Sequence, residues 1–227
     1  MLDYQSEDSF KNAVLRSSSL LVAWVVPKTA PLKPITFEEE QKATHLGSKK
    51  AYEYKHSRGY VRDSLSVLLK VPALSIPLNA EPGKTPQLEE GWGYISFSHC
   101  AEALLIAWSN QKIGVDIESK DRKINIELLS KRYFHSKNFD KKYLNQKEKI
   151  RIAILEQWVA REAAIKWQEG KLSKDFRKWD FDKSNKLGIH NSLGYSINIE
   201  VFNHQGYLIA IALEKKLDSQ QTIICQA

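Results

Sequence analysis

The spacing of hydrophobic positions along the 227-residue chain alternates between strand-like and helix-like stretches. LLVAWVV (20–26), YISFSH (94–99) and ALLIAWS (103–109) are dense in β-branched and aromatic residues and predict strands. Between the first two the spacing turns helical. Thr36, with Glu39 three residues on, is a capping-box signature for a helix beginning near Phe37. Val61, Leu65, Leu68 and Leu69 share one helical stripe over about 58–70, and Pro72 lies just past its end. Residues 71–91 are rich in Pro, Gly and Asn and predict a long loop.

The second half repeats this order. IGVDIE (113–118) predicts a strand, and helices fill much of 124–169. SINIEVF (196–202) and YLIAIAL (207–213) predict a hairpin around Asn203-His204-Gln205-Gly206. The expected fold class is therefore α+β, with two similar lobes that each run strand, helices, β-hairpin. This pseudo-duplication puts the lobes at 1–109 and 110–227, with a ligand site between them. No Pro or Gly interrupts the last helix, and Gly170 stands where a C-terminal cap is wanted.

Composition narrows the class. At 42% hydrophobic and 27% charged the chain is globular, which excludes wholesale disorder. Cys100 and Cys225 form no CxxC, so neither a disulfide framework nor a thiolate zinc site is supported. SLLVAWVVP (19–27) is far shorter than a membrane span, and MLDYQSEDSF is too acidic for a secretory signal. A cytoplasmic protein without membrane contact is expected. The net charge is +7. Residues 1–110 hold 12 Lys/Arg and 12 Asp/Glu, so the excess lies wholly in 111–227, which hold 22 and 15. Such asymmetry favours a polyanionic partner: nucleic acid, an acidic protein or a phosphorylated small molecule.

Candidate chemistry begins with the strand IGVDIE. Side chains alternate faces along a strand, so Asp116 and Glu118 point the same way, and Gly114 on that face admits a close neighbour. One buried face and one wet face would produce the same alternation. A second signal lies on the helix at 148–169, where Leu155, Trp158, Glu162 and Ile165 form one stripe. Glu162 thus sits within an apolar face, and a buried carboxylate needs compensating charge. Lys166, one turn on, can supply that as a simple ion pair. If the strand and helix carboxylates converge, Mg²⁺ is the fitting cation, being hard and oxygen-liganded. Three further groups are basic or polar: Gly83-Lys84-Thr85-Pro86 in the loop, Ser98-His99 at a strand end, and Lys55, Arg58 and Arg62 near one helix. Each taken alone reads equally as a turn, a structural histidine or a solvated helix face.

Taken in order, GKTPQL (83–88), ISFSHC (95–100), IGVDIE (113–118), KRYF (131–134) and WVAREAAIK (158–166) resemble the 4′-phosphopantetheinyl transferases, most nearly the larger monomeric type that activates surfactin synthetase. The resemblance implies a fold of two α+β lobes with coenzyme A bound between them. It implies that Asp116, Glu118 and Glu162 hold Mg²⁺, and that His99 and Lys166 contact phosphate oxygens. Lys84 and Ser98 would line the nucleotide site, with Arg62, and Lys55 or Arg58, near the 3′-phosphate. The implied partner is an acidic acyl or peptidyl carrier protein whose serine receives phosphopantetheine, with 3′,5′-ADP released. Both lobes in one chain imply a monomer.

The sequence departs from the family pattern at three places. Arg161 replaces a Lys, Thr85 is inserted between GK and P, and Asn138 stands where relatives carry a glutamate after RFF. The last change leaves the general base open between Glu162 and a metal-bound water. Two rival readings remain: a nucleic-acid binder built on KKAYEYKHSRGY (49–60), and a family member that binds coenzyme A or carrier protein without catalysis.

Overall fold

The computed structural model describes residues 20–81, 84–123, 147–216 and 222–226. Elements follow in chain order: β1 (Leu21–Pro27), α1 (Phe37–Thr44), α2 (Ser48–Leu69), β2 (Leu78–Asn79), β3 (Gln87–Leu88), β4 (Tyr94–His99), β5 (Ala103–Ser109), β6 (Ile113–Ser119), α3 (Lys147–Gln168), α4 (Leu172–Asp175), β7 (Trp179–Asp182), β8 (Leu187–His190), β9 (Ser196–His204), β10 (Tyr207–Leu213) and β11 (Thr222–Gln226). The fold is mixed α and β, as expected. Two compact units divide the chain. One comprises Met1–Phe97, Ala101–Lys112 and Leu217–Ala227; the other comprises Ser98–Cys100 and Ile113–Lys216.

In the first unit a sheet in the order β11-β1-β5-β4 carries α2 on one face. Val22, Trp24 and Val26 from β1 and Leu104, Ile106 and Trp108 from β5 pack with Val61, Leu65 and Leu69 of α2. Each fully buried leucine there contributes about 1.5–3 kcal/mol. The capping box at Thr36 forms as predicted: Thr36 Oγ1 accepts from Glu39 N, and Glu39 Oε2 accepts from Thr36 N. α2 begins ten residues before the predicted stripe, because Tyr54, His56, Arg58 and Tyr60 bury its polar N-terminal half. That burial withdraws Tyr54, His56, Arg58 and Tyr60 from the basic–aromatic stretch on which the nucleic-acid reading rests, and leaves Lys49, Lys50 and Tyr52 exposed. The 71–91 segment contains a short 3₁₀ turn, Ala73–Ser75, and the small β2–β3 ladder.

In the second unit the sheet order is β6-β10-β9-β8-β7. β9 and β10 form the predicted hairpin, closed by Gln205 and Gly206, both at positive φ (48° and 85°), the geometry of a type I′ turn. β7 and β8 are an additional hairpin that the sequence reading did not contain. α3 packs on the face of β6 and β10. Gly114, Ala210 and Ala212 keep that face low, and a Cβ on Gly114 would lie 2.1 Å from Ala163 O and 2.3 Å from Trp167 N. The opposite face, with Val115, Ile117 and Ile209, is buried too, so β6 has no wet face until Glu118. The end of α3 corrects one detail. Glu169, not Gly170, takes the left-handed conformation (φ 60°), and Gly170 N donates to Ile165 O at 2.9 Å.

Candidate active site

The site is built on β6, α3 and the end of β4. The register of β6 on β10 sets Asp116 opposite Ala210, a small neighbour that leaves room for α3. Asp116 is 2% exposed. Its Oδ1 accepts from Ser98 Oγ at 2.6 Å and from Lys166 Nζ at 2.8 Å. Lys166 Nζ also donates to Ser98 Oγ at 2.7 Å, closing a triangle of three charge-assisted contacts. Asp116 Oδ2 is buried with no hydrogen-bond partner among the described residues. A buried carboxylate oxygen in that state costs free energy unless something positive meets it.

Glu162 reaches the same place from α3, among the buried Leu155, Trp158 and Ile165. Burial, with Asp116 and Glu118 close by, pushes its carboxyl up to about 8, against the pull of Lys166 and Arg122. Glu118 pairs with Arg122, whose guanidinium lies 5.7 Å from the Trp158 ring centre. Three acidic groups predicted from two distant stretches therefore influence one another, with Lys166 and Arg122 as their cations. Among the described residues no three His, Cys, Asp or Glu side chains form a ready-made ligand group. Asp116 and Glu118 are instead turned onto Lys166 and Arg122.

The donors nevertheless suit a hard divalent ion. They are all carboxylate oxygens, one of them is buried without a hydrogen-bond partner among the described residues, and a third carboxyl resists ionisation because it is buried beside Asp116 and Glu118. Asp116, Glu118 and Glu162 would hold the ion.

The other candidate residues divide. Ser98 and Lys166 join the carboxylates. His99 ends β4 exposed to solvent. In the first unit Arg62 is buried and engaged by Glu39, with Nε–Oε2 2.9 Å and Nη2–Oε1 3.0 Å, while its Nη1 donates to Ile76 O at 2.6 Å. Arg62 thereby fastens α1 to α2. Arg58 stacks over Tyr54, 4.2 Å from the ring centre, and Lys55 pairs with Glu40 at 2.5 Å. Lys84 is exposed and pairs with Glu81 at 2.6 Å. Arg161 turns to β7 and donates to Asp180 Oδ1 at 2.7 Å, so the Lys-to-Arg change serves the fold there. Gly83, KRYF (131–134) and Asn138 lie outside the described residues. Sequence reasoning missed Arg122; its only signal was a cation four residues after Glu118 at a strand end.

Residues 112–212 match the model of the 4′-phosphopantetheinyl transferase superfamily. The matched stretch is just under half of the chain and contains Asp116, Glu118, Glu162 and Lys166. It supports a phosphopantetheinyl transferase at the level of the superfamily. A search of curated proteins gives no match. Among the described residues no helix is long and apolar enough to cross a membrane.

Proposed function

We propose that the chain transfers 4′-phosphopantetheine from coenzyme A to a serine of an acidic acyl or peptidyl carrier protein, with Mg²⁺ as the ion. The observation that carries this reading is the buried carboxylate Asp116, held on one oxygen by Ser98 and Lys166 and unpartnered on the other, beside Glu162 within the matched stretch. The serine oxygen forms a bond to the β-phosphorus of coenzyme A. The bond from that phosphorus to the bridging oxygen breaks, and 3′,5′-ADP leaves with the electron pair. When bound, the divalent ion supplies charge neutralisation on the pyrophosphate. Lys166, 30% exposed, supplies a further cation to the same oxygens, together with His99, the neighbour of Ser98 in sequence. Glu162, beside Asp116 and Lys166, would take the serine proton in its ionised form.

Arg62, Arg58, Lys55 and Lys84 remain candidates for the nucleotide phosphates. The reading extends to the larger monomeric, surfactin-synthetase-activating type and a cytoplasmic location. A duplicated plan is supported by topology: β1 pairs antiparallel with β5, the second strand of its hairpin, as β6 does with β10.

Mass spectrometry of an apo carrier protein incubated with this chain, coenzyme A and Mg²⁺ tests the proposal. The carrier is expected to gain one phosphopantetheine mass. Asp116→Ala and Glu162→Ala should lower the rate by about 10²–10³-fold, and exhaustive chelation should stop it. An unmodified carrier, or unimpaired variants, would overturn it. Retention on single-stranded DNA that survives coenzyme A would instead favour a nucleic-acid partner.

A further inference from the structure

The resemblance implied that Ser98 faces the nucleotide, but the geometry points to a different task. We infer that Ser98 is a positioning residue: its hydroxyl fixes the Asp116 carboxylate and Lys166 together, so that Asp116 presents Oδ2 to a divalent cation. This rests on the metal-dependent reading above. Ser98 is buried. Its Oγ donates to Asp116 Oδ1 at 2.6 Å and accepts from Lys166 Nζ at 2.7 Å. A hydroxyl has one proton to give, so Asp116 receives it and the lone pairs are left for the ammonium. Both contacts carry formal charge on the partner, the strong class of hydrogen bond. Among the described residues Oδ1 thereby has two donors and Oδ2 has none, although both belong to a side chain that is 2% exposed.

That asymmetry is what a carboxylate needs to offer one oxygen to a metal. Rotation of Asp116 would break two contacts at once. Ser98 belongs to the same compact unit as Asp116 and Lys166. Partners of this kind orient a ligand without touching the metal, and their loss costs on the order of 10–100-fold in metal affinity.

The test uses the full chain and Mn²⁺ as the probe, with free Mn²⁺ followed by electron paramagnetic resonance. Ser98→Ala should weaken Mn²⁺ binding by about tenfold. Ser98→Thr keeps the hydroxyl and should bind within about threefold of wild type, whereas the isosteric Ser98→Val should bind like the alanine variant. Thermal unfolding without metal reads structural damage separately. The Thr and Val variants are matched in shape, so a cavity or strain moves both alike, and only the hydroxyl separates their affinities. Alanine and wild type binding equally would overturn the inference, as would threonine and valine weakened to the same extent. Wild-type protein that binds no Mn²⁺ at all would overturn the metal site itself, and the role of Ser98 with it.

Discussion

At the residue scale, Glu162 gives the site a pH signature. Its carboxyl is raised from 4.5 to about 8 by burial, then by Asp116 and Glu118. The folded chain therefore holds a proton there that the unfolded chain releases above about 4.5. Stability contributed at this position is fullest at low pH and is lost as pH rises toward about 8. The metal-free protein should lose on the order of 2 kcal/mol from this group between pH 5 and 8, after allowance for partial solvent access. Glu162→Gln should flatten that dependence in chemical denaturation, and Mg²⁺ should narrow the difference between the two proteins at pH 8. Identical slopes would mean that Glu162 is not crowded by the strand carboxylates. Arg62 carries a second expectation. Its partner Glu39 is 6% exposed, so Glu39→Ala strands a buried guanidinium and should cost about 3–5 kcal/mol. Replacing both by Leu and Met should cost much less, and equal losses in the single and double variants would contradict the pairing.

The element scale decides whether the carboxylates meet. Glu162 and Lys166 reach Asp116 because α3 lies directly on Gly114, with Ala163 and Trp167 backbone atoms occupying the space a side chain would need. Gly114→Ala should therefore destabilise by about 3 kcal/mol, at the upper end of overpacking costs, and should also weaken Mn²⁺ binding by displacing α3. A stable variant with unchanged affinity would show that the close approach is dispensable. This contact was legible in the sequence, since a glycine on the face of two carboxylates announces a neighbour. The apolar strands β1, β5 and β10 were legible for the same physical reason: burial on both faces leaves continuous hydrophobic runs. β7 (WDFD) and β8 (LGIH) were not, because each is only four residues long: WDFD does alternate apolar and polar positions, but over too short a run to stand out, and Gly188 leaves a gap in the pattern of β8. The first half of α2 hid behind polar residues whose burial comes from tertiary partners, such as Arg58 stacked on Tyr54. Within the site, Asp116, Glu118, Glu162 and Lys166 followed from spacing. Arg122 did not, because a turn after β6 brings it back to Glu118.

Across the whole molecule, charge and chemistry coincide in sequence. The basic excess lies in residues 111–227, which also contain the matched stretch and the carboxylates. Segment 120–186 alone holds 19 Lys/Arg against 10 Asp/Glu. An acidic carrier protein should meet this surface faster at low salt. Raising ionic strength from 0.05 to 0.5 M should slow association by about tenfold in stopped-flow measurements, with little change in turnover at saturating carrier. A salt-independent on-rate would remove steering from the proposal. The central claim, however, concerns one ion and three carboxylates. Anomalous scattering from crystals grown with Mn²⁺ and coenzyme A tests it most directly. The expected result is a single strong peak within ligand distance of Asp116, Glu118 and Glu162; a peak elsewhere, with none beside Asp116 Oδ2, would contradict it.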